Sequence, residues 1–410
     1  MAVVAGCRTP FAKAGTDYRD LTALDLAKAC TRELIERTEL DPKAVGIVVM
    51  GQVIPSVLAP NLGREVTLRV GLPASTPAHT VNRACASANQ AIADVATAIL
   101  GGHAEVGIAG GAESLSDVPI LHSKRMAQML VAASRARGLS GKLKAFSSLK
   151  LKDFVPQTPA IAEPSTGLTM GQSAEKMAKE NGISREEQDR IAFLSHKNAA
   201  AATDDGRLMR EMCRVFVPPK YEVEVKSDNL VRRDTTLEAL AKLPPVFDRR
   251  HGTVTAGNSS PLTDGAAAVL LMSEERAKAD GYAPLAFIRS WAVAAVDPGG
   301  QLLMGPALAV PRALERAGLS LADMDLIEMH EAFAAQVASN IQALESGGAT
   351  VDRERLNVCG GSIAIGHPFG ATGARVTATL ANEMARRSSK YGLVSVCAQG
   401  GMGFAMVLER

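Results

Sequence analysis

The side chain best placed for chemistry in this sequence is the thiol of Cys85, within the stretch 81–92. An extended segment carrying Pro73 and Pro77 precedes it, and small residues predict a helix over Ser87–Leu100. A thiol just before a helix faces unpaired backbone N–H groups and the positive end of the helix dipole, which favour the reactive thiolate. The position therefore predicts a nucleophile, although a free cysteine is more often a buried structural residue.

Two later stretches supply the groups that a thiol nucleophile needs. Residues 357–373 frame His367 with glycines, and residues 394–403 place Cys397 at the end of an apolar strand. A thiol nucleophile needs a base, and acyl transfer needs a second proton carrier. His367 and Cys397 are candidates for these roles, although each alone could equally be a turn histidine or a core thiol.

These stretches, together with His330-Glu331-Ala332-Phe333, resemble the motifs of the thiolase family, and the resemblance runs along the whole chain. It implies the thiolase fold, with two duplicated α/β halves in five α-β-α-β-α layers and a loop domain inserted in the first half. It also implies thiolytic cleavage of a 3-ketoacyl-CoA by CoA to acetyl-CoA and a shortened acyl-CoA, the last step of fatty-acid β-oxidation. The alternative is the opposite direction, the Claisen condensation that biosynthetic acetyl-CoA acetyltransferases catalyse.

The resemblance assigns Cys85 as the acylated nucleophile, His367 as its base and Cys397 as the carrier of a proton between the enolate and the incoming CoA thiol. A thiol suits that last role because it is a better acid than a hydroxyl. Backbone N–H groups of Cys85 and Gln399 would stabilise the oxyanion on the keto carbon. His367, with a water held by His330, would stabilise the enolate oxygen.

Two positions depart from the common family pattern. Most members have Asn where this chain has His330, and histidine there resembles the thiolase (β) subunits of fatty-acid-oxidation trifunctional complexes. A charged imidazolium at this position would alter the electrostatics of the site. Many members have Gly where this chain has Gln399, so a left-handed turn there would be strained, whereas the backbone contact is expected to survive. The CoA contacts implied by the resemblance are Met170, Ala256, Ser260, Ala332 and Phe333.

Composition narrows the class of protein. The chain has 410 residues, of which 47% are apolar and 21% charged, as in globular proteins, and its net charge of +2 argues against nucleic-acid binding. No apolar run is long enough to span a membrane, and the first residues lack the charged start of a signal peptide. The six cysteines have no paired spacing, which argues against zinc or disulfides. We expect a reducing compartment, the bacterial cytoplasm or a mitochondrion after loss of a targeting segment, no cofactor and no metal, with CoA as co-substrate.

Alternating strand and helix patterns predict a layered α/β protein. The predicted organisation is an N-terminal half at 1–117, an inserted domain at 118–249, a return to the first half at 250–275 and a C-terminal half at 276–410. A helix and a strand follow Cys85 and end at Gly110-Gly111. A helix and a strand likewise follow Gly370 and end at Gly400-Gly401, as a duplicated unit would show.

One segment of the inserted domain, Lys124–Lys152, contains eight Lys or Arg residues and no acid, with Met, Leu and Phe interleaved. This basic segment could be a solvated lid that attracts an anionic substrate, a surface for an anionic membrane or a docking face for a hydratase/dehydrogenase α subunit. The apolar residues among the charges favour the membrane or the partner. The resemblance also implies a homo-oligomer, either a dimer or a dimer of dimers.

Two other classes of protein fit part of the pattern. A scaffold of the same fold would bind acyl-CoA without turnover, but the intact Cys85, His367 and Cys397 argue against it. A decarboxylating ketosynthase combines its cysteine with two histidines, or with His and Asn, rather than with a second cysteine. Cys397 distinguishes that class.

Overall fold

A computed structural model describes residues 1–156 and 162–410 of the chain; residues 157–161, within the predicted inserted domain, lie outside the described residues. The strands of this part are β1 (Ala2–Arg8), β2 (Ala12–Lys13), β3 (Ile47–Gly51), β4 (Ala78–Val81), β5 (Val106–Glu113), β6 (Val215–Val217), β7 (Val223–Val225), β8 (Thr263–Met272), β9 (Ala286–Ala295), β10 (Leu326–Met329), β11 (Tyr391–Ala398) and β12 (Met402–Glu409). The helices are α1 (Ala23–Arg37), α2 (Leu62–Arg69), α3 (Ser87–Leu100), α4 (Lys124–Arg135), α5 (Gly138–Ala145), α6 (Met170–Glu180), α7 (Arg185–Asp204), α8 (Arg207–Glu211), α9 (Leu237–Ala241), α10 (Glu274–Ala279), α11 (Gly305–Ala317), α12 (Ala334–Glu345), α13 (Ser362–Ile365) and α14 (Thr372–Arg387).

The main sheet shows the predicted duplication in its strand order, β10-β11-β12-β9-β1-β8-β5-β3-β4, with β2 beside β8. In the first half the parallel pair β3 and β5 is followed by antiparallel β8 and β1. In the second half the parallel pair β10 and β11 is followed by antiparallel β12 and β9. The halves meet where β1 pairs with β9, at Ala2 opposite Phe287 and Val3 opposite Ala286.

The helices lie in layers on this sheet. α3 and α14 pack against each other in the middle, α3 on β5 and β3 and α14 on β11 and β1. On the outer sides α1 packs against β8 and α11 against β12 and β9. Small residues line the middle helices, and α14 has twelve buried residues, because both its faces are covered. This is the layered α/β arrangement expected from the sequence.

The described residues separate into two compact units. One comprises Met1–Asp117 and Ala162–Arg410, and the other comprises the described residues 118–156, which contain α4 and α5. The larger unit therefore includes residues 162–249, where α7 packs against α12 and α13. The domain boundaries drawn from the sequence stay a prediction. Among the described residues no helix is both long and apolar enough to cross a membrane.

Two elements differ from the sequence prediction in ways that shape the site. β5 does not end before Gly110-Gly111 but continues to Glu113, since these glycines allow close packing: a Cβ on Gly111 would collide with the carbonyl of Gly370. α12 begins only at Ala334, because Phe333 has extended backbone angles. Residues 330–333 are thus a loop at the end of β10.

Candidate active site

Cys85 lies in a tight turn between β4 and α3. Ala84, just before it, has a φ of 45°, a left-handed conformation that is uncommon for a residue with a Cβ. The Ala84 N–H donates to Asn82 Oδ1 at 3.0 Å, and the Ser87 hydroxyl donates to the Ala84 carbonyl at 2.6 Å. These bonds hold the strained residue and fix the position of the thiol.

The Cys85 thiol is not poised as a thiolate, and here the sequence prediction was wrong. Burial raises its pKa to about 11, and the carboxyl of Glu113 adds to the rise. The backbone N–H groups of Gln399 and of Cys85 itself lower this pKa, but by less than burial raises it. The thiol therefore needs a base to remove its proton when it attacks.

The pKa of Cys85 makes a prediction about alkylation. Because the protonated form dominates below about pH 11, the rate at which iodoacetamide labels Cys85 in the free protein is expected to rise steadily between pH 6 and pH 9. Mass spectrometry of the peptide that contains Cys85 measures the rate without interference from the other thiols. A rate already constant across this range would show a thiolate paired with a cation and contradict the neutral thiol.

His367 is placed by the glycine before it and by two threonines. Gly366 has a φ of 111°, and a Cβ there would lie 2.7 Å from the side chain of Thr263. The His367 N–H donates to Thr263 Oγ1 at 3.1 Å, and its Nδ1 lies 2.6 Å from Thr372 Oγ1. Burial and the charge of Arg375 lower the pKa of His367 to about 3. The imidazole is therefore neutral at physiological pH and can act as a base.

His330 follows β10 and faces His367, with the two ring centroids 4.1 Å apart. Its backbone N–H donates to the Ser395 carbonyl at 2.8 Å, and its Nδ1 lies 2.8 Å from Ser362 Oγ. Burial, His367 and Arg375 together lower the pKa of His330 well below its usual value. The surroundings of this ring therefore disfavour the charged imidazolium considered from the sequence.

Cys85, His330 and His367 converge on one point: the Cys85 sulfur and one ring nitrogen of each histidine lie within 4.8 Å of one another. A carbonyl carbon attacked by the thiol would lie within reach of both rings. The same three atoms are close enough to share a metal ion, so the expectation that the site uses none stays a prediction.

Cys397 is the last but one residue of β11, lies next to this cluster and is 1% exposed. Burial and the adjacent Cys85 thiol raise its pKa well above the usual value, so it too is a neutral thiol that can donate a proton. The left-handed turn after it falls on Gly400 (φ 85°) and Gly401 (φ 74°). Gln399 has no positive φ, so the strain expected from its replacing glycine is absent.

The residues expected to contact CoA lie mostly together. Met170, Ala332 and Phe333 share an apolar cluster with Cys397, and the Ser260 N–H donates to the Ala332 carbonyl at 3.0 Å. Ala256 is exposed in the loop before β8. Their contact with CoA stays a prediction.

Sequence reasoning missed Phe247 in that cluster. Its ring meets Phe333 edge-on at 6.1 Å and covers Gly171, where a Cβ would collide with it. Phe247 is an aromatic residue at the end of a polar stretch, two positions after Pro244-Pro245. That isolation was the available signal for its packing role.

Two buried carboxyl groups that the sequence did not reveal hold the loops of the site. Glu331 accepts from the Ser195 hydroxyl at 2.7 Å and from Asn357 Nδ2 at 2.6 Å, which ties the loop after β10 to α7. Glu113 accepts from the N–H groups of Val53, Ile54 and Gly370, each at 3.0 Å. Since Gly370 lies three residues after His367, the end of β5 fixes the loop that carries the base.

Family models of the thiolase N-terminal domain and the thiolase C-terminal domain match residues 1–275 and 282–410, respectively, so the chain belongs to the thiolase family. It is 51% identical to a 3-ketoacyl-CoA thiolase of Pectobacterium carotovorum over 100% of this chain and 96% of the relative. A 3-ketoacyl-CoA thiolase of Escherichia coli is 49% identical with the same coverage.

Solved structures of the family share the fold. The acetyl-CoA acetyltransferase of Bacillus anthracis has a TM-score of 0.89 and 34% identity, over 100% of this chain and 98% of that one. The human mitochondrial 3-ketoacyl-CoA thiolase in complex with CoA has a TM-score of 0.86 and 37% identity, over 100% and 97%. The predicted thiolase fold is confirmed.

Proposed function

We propose that this chain catalyses the cleavage of 3-ketoacyl-CoA by CoA, giving acetyl-CoA and an acyl-CoA two carbons shorter, as in the last step of fatty-acid β-oxidation. The observation that carries the proposal is the convergence of the Cys85 thiol and two neutral imidazoles within 4.8 Å. The full-length similarity to 3-ketoacyl-CoA thiolases supports it. CoA and acyl-CoA are the ligands, and no cofactor enters the proposal.

In the first half-reaction the neutral His367 accepts the Cys85 proton as the sulfur attacks the keto carbon. The N–H groups of Cys85 and Gln399, which already point at the sulfur, are placed to stabilise the oxyanion that forms. The C–C bond then breaks, and its electrons leave on the enolate of acetyl-CoA. The Cys397 thiol protonates the enolate carbon, which leaves an acyl thioester on Cys85.

In the second half-reaction the Cys397 thiolate takes the proton of an incoming CoA thiol. The CoA sulfur attacks the thioester, and the acyl group leaves Cys85 as acyl-CoA. His367 returns its proton to the Cys85 sulfur, so both thiols and the imidazole end as they began.

A thiolysis assay across 3-ketoacyl chain lengths tests this function. We expect CoA-dependent loss of 3-ketoacyl-CoA with substrates longer than four carbons. Activity confined to acetoacetyl-CoA, with condensation of acetyl-CoA in the absence of CoA, would favour the biosynthetic acetyltransferase instead. Binding of acyl-CoA without turnover would instead show a non-catalytic scaffold of the thiolase fold.

We also propose a homodimer or a dimer of dimers. The support is the place of β4 as the last strand at one edge of the described sheet, directly before the Cys85 turn. An edge strand offers unpaired backbone groups to a second copy. Light scattering at micromolar concentration is expected to give two or four times the chain mass of 42.9 kDa. A mass of one chain would rule out the assembly.

The compartment proposed is a reducing one, the bacterial cytoplasm or the mitochondrial matrix. All six cysteines are free, and the proposed reaction needs both Cys85 and Cys397 as thiols. Oxidation of either sulfur would stop the reaction within its first half-reaction.

For the basic segment Lys124–Lys152 we propose contact with an anionic membrane. Within this segment Met126 and Met129 are buried, whereas several other apolar side chains face outward, among them Leu139 and Leu143. Eight cations without an acid complement anionic lipid, at roughly 1 kcal/mol for each basic residue near the headgroups. Exposed apolar side chains among them could enter the headgroup layer.

Sedimentation with anionic and neutral liposomes tests the membrane contact. Binding is expected with anionic vesicles at low salt, and charge reversal of four lysines to Glu should remove it: Lys142, Lys144, Lys150 and Lys152. Matched charge reversal of four exposed lysines elsewhere should weaken it less: Lys43, Lys220, Lys226 and Lys278. Absence of binding at low salt would rule out membrane contact. The basic segment would then be either a docking face for an α subunit or a lid over the substrate.

A further inference from the structure

We infer that the two facing histidines are held in opposite neutral tautomers, and that Ser362 and Arg375 are positioning residues that make His330 a hydrogen-bond donor. The inference rests on the proposed function, which needs one imidazole as a base and one donor for an oxyanion. It gives roles to Ser362 and Arg375, two residues to which the sequence motifs assign none. The geometry around each Nδ1 atom carries it.

The tautomer of His367 follows from Thr372. The Thr372 hydroxyl donates to the Pro368 carbonyl at 3.1 Å, which uses its only proton. At 2.6 Å from His367 Nδ1, the same oxygen can then only accept, so Nδ1 carries the hydrogen. The Nε2 atom of His367 is left with a lone pair, which is the form a base requires.

The tautomer of His330 follows from Ser362 and is the opposite of the His367 tautomer. The Arg375 guanidinium donates to Ser362 Oγ at 3.1 Å, and a guanidinium can only donate. The Ser362 hydroxyl therefore directs its proton elsewhere, and His330 Nδ1, at 2.8 Å, is the acceptor that the described residues offer it. Nδ1 of His330 then accepts, and its Nε2 carries the hydrogen.

Both Nε2 atoms are buried and lack a partner within residues 1–156 and 162–410. Buried polar atoms are normally paired, and unpaired ones are costly to keep. Nε2 of His367 is an acceptor and Nε2 of His330 is a donor, on rings whose centroids lie 4.1 Å apart beside the Cys85 sulfur. The pair thus presents a base to the thiol and a donor to a substrate oxygen, whereas two matching tautomers would lack one of the two.

Arg375 contacts two elements of the site, through Ser362 and through Glu328. It lies on α14, is fully buried and donates to Glu328 Oε2 at 3.3 Å, on β10, the strand that directly precedes His330. Its positive charge lies near both rings and opposes their protonation, which agrees with two neutral imidazoles. The arginine therefore orients the Ser362 hydroxyl and adds to the burial that disfavours a charged His330.

The direct test is nitrogen NMR of the intact protein labelled with ¹⁵N-histidine, which has seven histidines to resolve. His330→Asn and His367→Asn identify the two ring signals. We expect His330 to carry hydrogen on Nε2 and His367 on Nδ1. Hydrogen on Nδ1 of His330 in the unmodified protein would overturn the inference. This result does not depend on turnover, so it is separable from failure of the thiolysis assay.

Kinetics of Ser362→Ala give the functional test. We expect thiolysis kcat to fall about tenfold with little change in KM, since one neutral hydrogen bond that fixes the donor is lost. The rate of Cys85 alkylation should stay unchanged, because His367 is untouched. Ser362→Thr keeps a hydroxyl and should recover most of the loss. Ser339→Ala, which removes another buried serine hydroxyl on α12, should leave kcat unchanged.

Full activity in Ser362→Ala, with His330 still protonated on Nε2, would show that Ser362 does not set the tautomer. If Ser362→Ala does not fold, the ring-nitrogen signals of the unmodified protein still decide between the two tautomers.

Discussion

Replacing Cys85 with Ala is expected to abolish acyl-enzyme formation and to lower thiolysis by roughly 10⁶-fold, the scale seen when a catalytic nucleophile is removed. The reason is that the acyl group has no other sulfur to which it can be transferred in the first half-reaction. Cys397 is buried beside it and is needed as a proton carrier. Mass spectrometry after incubation with an acyl-CoA measures the result directly, as gain or absence of the acyl mass.

The matched control for this variant is Cys30→Ala. Cys30 is a buried thiol on α1, in a core cluster that does not contain Cys85. It should acylate like the unmodified protein, which separates loss of the nucleophile from a general effect of removing a buried thiol. Acyl label retained in Cys85→Ala would refute the assignment and point to a second acceptor.

The fold could be predicted because its signals are local and repeated. Continuous apolar strands such as β8 are buried on both faces, and small-residue helices such as α3 and α14 fill the middle layer. The end of β5 could not be predicted, because it depends on a contact between distant segments. Nothing near Gly110-Gly111 indicates that Gly370 packs on them, so β5 was expected to stop too early.

The site residues could be named from their motifs, but their protonation could not. Cys85 was expected to favour thiolate because a helix follows it in sequence. In the fold, burial beneath segments from the rest of the chain outweighs the backbone N–H groups. The same holds for the histidines, whose neutral state depends on burial and on Arg375, and for Ser362, which meets His330 only in the folded chain.

Cys397→Ala is expected to keep acylation at Cys85 but to lower steady-state thiolysis by about 10² to 10⁴-fold, the usual effect of losing a general acid–base group. With a simple acyl-CoA the leaving group is the CoA thiolate, which Cys397 protonates in the unmodified protein. A thiolate is a much better leaving group than an enolate carbon and can depart without that proton, so His367 and Cys85 suffice for acylation. With a 3-ketoacyl-CoA the leaving group is an enolate carbon, and no other thiol is placed to protonate it within the described site.

Comparing simple acyl-CoA with 3-ketoacyl-CoA therefore tests whether Cys397 carries a proton or acts as a nucleophile. Acyl mass on Cys85 after incubation with acyl-CoA, together with lost thiolysis, is the expected pattern. Cys397→Ser keeps nearly the same volume and should still be strongly impaired, because a hydroxyl is a much weaker acid than a thiol. Near-normal thiolysis in Cys397→Ala would remove the role, and loss of acylation with simple acyl-CoA would instead show that Cys397 is needed to assemble the nucleophile.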